Sequence, residues 1–257
     1  MINRGFQKAF VTIFTGVLAT SAILLHISIG LAAQEKSIPD HGNFKDCQAC
    51  HTEIYKMWKA TRHSKPPEQK AGADCLSCHK PGSSENPKQL AMDREKLCNE
   101  CHTQRTVLEG KGARGIEDTR SFHSGVACVS CHMSEANHDM KLFRPDDPKI
   151  PEDRLDTCTR CHNDNNRKMR AKQLPDWLEF YKEAMDPVEA DMAIIAARLK
   201  EKPDLLNADL KAKLDTTDFN LSIIKLDGSH GAHNLDFALE ILAKASKDIK
   251  EIKAAIK

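Results

Sequence analysis

The chain has 257 residues, with 38 Lys and Arg against 37 Asp and Glu. That near-neutral balance gives no electrostatic case for a nucleic-acid or polybasic membrane partner, and the length allows one or two domains. Between His41 and Asn165 only 21 of 125 residues are Val, Ile, Leu, Met, Phe, Trp or Tyr, too few for an ordinary polypeptide core, yet all ten cysteines and nine of the twelve histidines lie there. Something other than side chains must fill that region.

Residues 1–33 read as an export segment. Arg4 and Lys8 form a short basic start, Ala9 to Ala33 carries no formal charge, and Leu31-Ala32-Ala33 offers small residues for cleavage. The uncharged run is long enough to span a bilayer, so an uncleaved membrane anchor is the alternative. Either outcome places the rest of the chain outside the cytoplasm, in a periplasmic or extracellular setting.

Residues 34–165 carry one signal five times: Cys47-Gln-Ala-Cys50-His51, Cys75-Leu-Ser-Cys78-His79, Cys98-Asn-Glu-Cys101-His102, Cys128-Val-Ser-Cys131-His132 and Cys158-Thr-Arg-Cys161-His162. Every cysteine belongs to one of them. C-x-x-C-H is the attachment pattern of c-type haem. Two thiols three positions apart can add to the two vinyl groups of one porphyrin, and the adjacent His51, His79, His102, His132 or His162 then takes the proximal position on the iron. Zinc ribbons need two C-x-x-C pairs per metal and no histidine after each, and five pairs leave one over. Disulfides, the usual reading of paired cysteines in an exported chain, are displaced by the same pattern. The sequence thus predicts five covalently bound c-type haems, close together, as the missing bulk of this region.

Five irons require five distal ligands if all are six-coordinate. His41, His63, His123, His138, His230 and His233 remain outside the motifs and the export segment, so the histidine supply suffices without Met92, Met133 or Met140. Bis-histidine ligation holds potentials lower than His/Met ligation and closes the iron to substrates.

Residues 166–257 have no cysteine and read as helical. One helix is expected over Trp177 to Lys200, broken or kinked at Pro187. A second is expected from about Leu205 to Leu226, stopping at Gly228. A third follows Asn234 as its cap, with Leu235, Leu239, Leu242, Ile249, Ile252 and Ile256 as an apolar stripe. Helix-on-helix packing is the expected use of these stripes. The predicted fold class is mainly α: a loop-rich pentahaem region followed by long C-terminal helices.

The run from Cys47 through Tyr55 and Trp58 to His63 resembles the opening of multihaem cytochromes in the superfamily of ammonia-forming nitrite reductase and hydroxylamine oxidoreductase. Phe122-His123 leading into Cys128-Val-Ser-Cys131-His132-Met133, with Asn137-His138 beyond, is similar to a second segment of that superfamily. His230-Gly-Ala-His233-Asn234 resembles the distal-ligand motif that opens its last long helix. The resemblance implies that His63, His123, His138 and His233 are distal ligands, with His230 or His41 as the fifth and His230 preferred. It also implies a dimer through the C-terminal helices. One departure matters: the nitrite reductases place Lys beside one haem to leave a catalytic face, whereas all five motifs here end in His. Neither Tyr55 nor Tyr181 stands in the context of the oxidoreductases' cross-linked tyrosine.

These readings converge on an extracytoplasmic electron-transfer cytochrome without catalytic residues, exchanging electrons with redox partner proteins. The alternatives are a reductase of nitrite, hydroxylamine or sulfite with one open haem, and a filament-forming conductor. Loss of residues 1–33 would remove two basic residues and no acidic one, and haem propionates add negative charge, so basic partner surfaces are expected.

Overall fold

Among the described residues the polypeptide core lies mostly in the C-terminal third, where the sequence supplies apolar side chains, and Val107 of the motif region joins it. The computed structural model describes residues 44–65, 72–150, 155–163 and 167–256. The expected export segment 1–33, His41 and the expected domain boundary at 165/166 lie outside the described residues. Residues Ile38–Lys257 form one compact unit. In chain order the helices are α1 (Phe44–Cys50), α2 (Thr52–Lys59), α3 (Cys75–Cys78), α4 (Arg105–Leu108), α5 (Cys128–His132), α6 (Arg167–Glu201), α7 (Ala208–Asp227) and α8 (Leu235–Ala255). Among the described residues there is no β-strand, only an isolated bridge between His79 and Leu90. The mainly α architecture, with a loop-rich motif region and long C-terminal helices, is as the sequence predicts.

Helix α8 is the centre of the core and packs against both α6 and α7. Of the expected stripe, Leu242, Ile249, Ile252 and Ile256 are buried, and Leu235 and Leu239 are partly buried against the same cluster. Phe237, Ile241 and Ala245 are buried as well, because a helix flanked on two sides needs a wider apolar face than a single stripe supplies. Full burial of a side chain such as Phe237 contributes about 1.5–3 kcal/mol. Asn234 caps α8 as predicted, its Oδ1 accepting from the Phe237 amide at 3.2 Å. Gly228 ends α7 in the left-handed conformation at φ 67°.

Helix α6 departs from expectation. It starts ten residues earlier than Trp177, at Arg167, and continues through Pro175 and Pro187 without a break. Tyr181 and Met185 before Pro187, and Val188 and Ile195 after it, are all buried in one cluster. Their shared packing outweighs the hydrogen bond that the proline removes.

Two buried asparagines bind the helical layer to the motif region. Asn220 of α7 accepts from the Arg114 amide at 2.7 Å and donates to the Arg114 carbonyl at 3.0 Å, mimicking a strand partner. Asn234 Nδ2 donates to the carbonyls of Val107 and Thr119 at 3.0 and 2.5 Å. The same loop closes on itself at Gly110, where an added Cβ would lie 1.9 Å from the Thr119 carbonyl oxygen. No helix among the described residues is long and apolar enough to cross a membrane.

Candidate functional site

Each C-x-x-C-H is folded as about one helical turn. The histidine amide donates to the carbonyl of the first cysteine in four motifs, at 2.8 Å for His51 and His79 and 2.9 Å for His102 and His162; the fourth motif is itself α5. A helical turn puts residues three apart on one face, which is where two thioether bonds to one porphyrin need them. Local caps set these turns. Asp74 Oδ1 accepts from the Ser77 amide at 2.8 Å, closing a capping box over the second motif. The fully buried Asp156 accepts from the amides of Cys158 and Thr159, both at 2.9 Å, and pins the fifth.

Neighbouring motifs face one another in sequence order. Burial, and then the adjacent Cys47, pushes the Cys75 thiol up to about 11. Burial and the neighbouring Cys101 raise that of Cys78. A hydrogen bond to Cys128 raises that of Cys98. Burial and the nearby Cys161 raise that of Cys131. The first motif therefore adjoins the second, and so on to the fifth, with cysteine edges close together at every step.

The histidines pair. The His63 ring lies 5.8 Å from His102, His79 lies 6.2 Å from His138, His123 lies 6.2 Å from His162, and His132 lies 6.1 Å from His233, centroid to centroid. Each pair joins one motif histidine to one histidine outside the motifs. With metal–nitrogen bonds of about 2 Å, two imidazoles on opposite sides of one metal have centroids roughly 6 Å apart. Burial first, and then the facing histidine, lowers the pKa of His63 and of His123. Burial also lowers that of His79 and His132, against hydrogen bonds to the Lys88 and Met140 carbonyls that raise them. These rings are thus held in the neutral form that metals bind.

Local structure delivers each ring. Trp58, at the end of α2, donates through Nε1 to the Ala73 carbonyl at 2.9 Å, while the Ala73 amide donates to the His63 carbonyl at 3.1 Å. The turn after α2 thereby carries His63 across to the third motif. Elsewhere the second ring nitrogen is fixed by an acceptor: His79 Nδ1 lies 3.2 Å from the Lys88 carbonyl, His132 Nδ1 3.3 Å from that of Met140, and His138 Nδ1 2.7 Å from that of Ala136. His233 Nδ1 lies 2.6 Å from Asp227 Oδ1. An acceptor there assigns the proton to Nδ1 and leaves Nε2 with its lone pair for a metal.

All three accepting carbonyls belong to non-glycine residues in the left-handed region: Lys88 at φ 59°, Ala136 at φ 57° and Met140 at φ 59°. Nothing in the motif spacing signals these turns. Strained backbone held at ligand-orienting positions costs stability. Ala136→Gly is expected to raise stability by about 1 kcal/mol by removing the left-handed penalty, measured as a higher denaturant midpoint with an unchanged haem spectrum.

Two candidates stand apart. The His230 ring stacks on Tyr181 at 5.7 Å and 10°, rather than on a motif histidine. It reaches that position in the left-handed region, at φ 53°. Among the described residues no histidine ring pairs with His51. Burial, with Asp227 and Glu189 nearby, raises the Tyr181 hydroxyl to about 12.

The residues present fit covalent haem. They supply paired thiols on single turns, imidazole pairs at metal-spanning distance, and a region short of apolar side chains. Arg170 Nε adds a further mark, since it is buried with no protein partner beside the His123–His162 pair. A haem propionate is a suitable acceptor for it.

Comparison with known proteins agrees. Residues 68–106 match the pattern described as a doubled CXXCH motif. Cytochrome c-554 of Nitrosomonas europaea (strain ATCC 19718 / CIP 103999 / KCTC 2705 / NBRC 14298) is 30% identical over 132 residues, covering 48% of this chain and 48% of that protein. The chain therefore matches about half the length of that relative. The outer cell wall cytochrome OcwA superposes with a TM-score of 0.53 at 22% identity, over 77% of this chain and 48% of its own. An undecahaem cytochrome from the S-layer of Carboxydothermus ferrireducens gives a TM-score of 0.51 at 23% identity, over 82% of this chain and 38% of its own. Residues 119–257, more than half the chain, match the family described as Cytochrome c552, and the chain belongs to that family as a multihaem c-type cytochrome.

Proposed function

We propose that the chain is a pentahaem electron-transfer cytochrome of the nitrite reductase and hydroxylamine oxidoreductase superfamily, exported by residues 1–33, with one haem per C-x-x-C-H. The four histidine pairs at 5.8–6.2 Å carry the reading. On it, His138 serves the second motif, His63 the third, His233 the fourth and His123 the fifth. For His51 the choice lies between His41 and His230, and the stacking of His230 on Tyr181 favours His41. Bound haem iron supplies one-electron exchange between ferric and ferrous states. The protein supplies the thiols that tether it, the imidazoles that fill its two axial positions, and the shell that keeps neighbouring sites close. Filled axial positions favour electron transfer over catalysis on a bound substrate.

Donor and acceptor are redox proteins with basic surfaces, met outside the cytoplasm, and the long C-terminal helices are the surface proposed for self-association. Haem and iron quantification on purified protein is expected to give five haems per chain. A value of three or fewer would contradict the reading.

A further inference from the structure

Helix α6 carries two apolar faces, and only one of them is turned to the core. Tyr181, Val188 and Ile195 are buried in the cluster that α6 shares with α8. One residue before each, about 100° round the helix, stand Phe180, Pro187 and Ile194. All three are exposed, Phe180 by 52% and Ile194 by 54%. Their spacing of seven residues keeps them on one line. Ala190 and Ala197, also exposed, lie beside that line and add only small side chains to it. Single exposed apolar residues are ordinary, but a row of them along one face marks an interaction surface.

The charges on this face repeat with a twofold pattern about Pro187. Phe180 lies seven residues before the proline and Ile194 seven after it, while Asp176 lies eleven before and Arg198 eleven after. Each charge belongs to a surface ion pair, Lys172 Nζ with Asp176 Oδ2 at 2.8 Å and Arg198 Nη1 with Glu201 Oε2 at 3.5 Å. Laid antiparallel on a second α6, the base-then-acid order at one end meets a base-then-acid order running the other way. Asp176 then faces Arg198 of the second copy, and Lys172 comes beside its Glu201. Two like-charged encounters are relieved locally. Asp191, which would face Glu183, is neutralised by Lys253, and Lys202, which would face Lys172, lies beyond the end of α6.

We propose that the exposed face of α6 is a homodimer surface, on which a second copy of this chain lays its own α6 antiparallel across a twofold axis at Pro187. The inference rests on the self-association proposed above and assigns its surface; it is independent of how the haems are ligated. Phe180 of each copy packs beside Ile194 of the other, and Ala190 and Ala197 leave room for the helices to approach. Burial of these apolar groups supplies the affinity. The Asp176–Arg198 encounters are solvent-exposed, so they add little to affinity and instead fix the orientation and register. Because both copies use the same patch, the pair closes on itself and does not grow into a filament.

The test is sedimentation velocity of the haem-loaded protein over a concentration series. The native chain is expected to form a reversible dimer. Ile194→Glu is expected to weaken it about a hundredfold, by removing two apolar contacts and burying two carboxylates. Its circular dichroism and haem spectrum should be unchanged, because Ile194 lies outside the core. Asp176→Arg alone, or Arg198→Asp alone, is expected to weaken the dimer about tenfold, since each dimer contains two such encounters. Combining both exchanges should return the native affinity. A monomer at every concentration overturns this surface and the self-association reading together. A dimer indifferent to Ile194→Glu overturns the surface alone. Single charge variants that the double variant fails to rescue overturn the antiparallel register.

Discussion

Replacing His63 with alanine is expected to convert one ferric iron per chain from low-spin to high-spin. His63 faces His102 at 5.8 Å, half-buried, and its turn is anchored through Ala73 rather than by other histidines. On the proposed ligation, removing the imidazole deletes one axial ligand and leaves the thioethers and His102 in place. The vacated position should then accept added imidazole, which returns the iron to low spin. The parallel change His230→Ala is expected to leave all spin states as they were, because that ring stacks on Tyr181. An unchanged His63→Ala spectrum, or a high-spin signal from His230→Ala, would reverse these assignments.

The second large effect is expected from Cys128→Ser combined with Cys131→Ser. Without thiols the fourth motif cannot tether a haem, and the haem content should fall by one per chain, read by iron analysis and intact mass. The consequences should exceed the loss of one cofactor. Cys128 hydrogen-bonds Cys98 of the third motif, and Cys131 lies close to Cys161 of the fifth, so the missing haem lies between two others. Electron equilibration between the third and fifth motifs should slow steeply, measured by flash reduction of the purified protein. The core around α8 should remain helical by circular dichroism, since its packing involves α6 and α7 rather than the motif. Retention of a full haem complement would contradict the role of these thiols.

Much of this was legible in the sequence. Five C-x-x-C-H motifs announce covalent haem because the chemistry demands that spacing, and the scarcity of apolar residues before Asn165 says that the cofactor replaces a side-chain core. The caps Asn234 and Gly228 act where local chemistry predicts them. Long-range choices were less visible. His63 follows the first motif but faces the third, and His138 follows the fourth but faces the second. Those crossings depend on loop paths held by left-handed residues such as Lys88 and Ala136, which no periodicity reveals. His230 and His233 look alike in sequence, yet a left-handed backbone at His230 turns its ring onto Tyr181 while His233 reaches His132. Pro187 is a related case: local propensity predicts a break or a kink there, and burial of α6 on both sides of the proline keeps the helix continuous.

The central claim is that histidine pairs close the irons on both faces. Low-temperature EPR of the fully oxidised protein, with spins quantified against total haem, tests it most directly. Four pairs of rings predict at least four low-spin ferric haems per chain, and His41 at the first motif predicts a fifth. High-spin ferric signal amounting to two or more haems per chain would contradict the account.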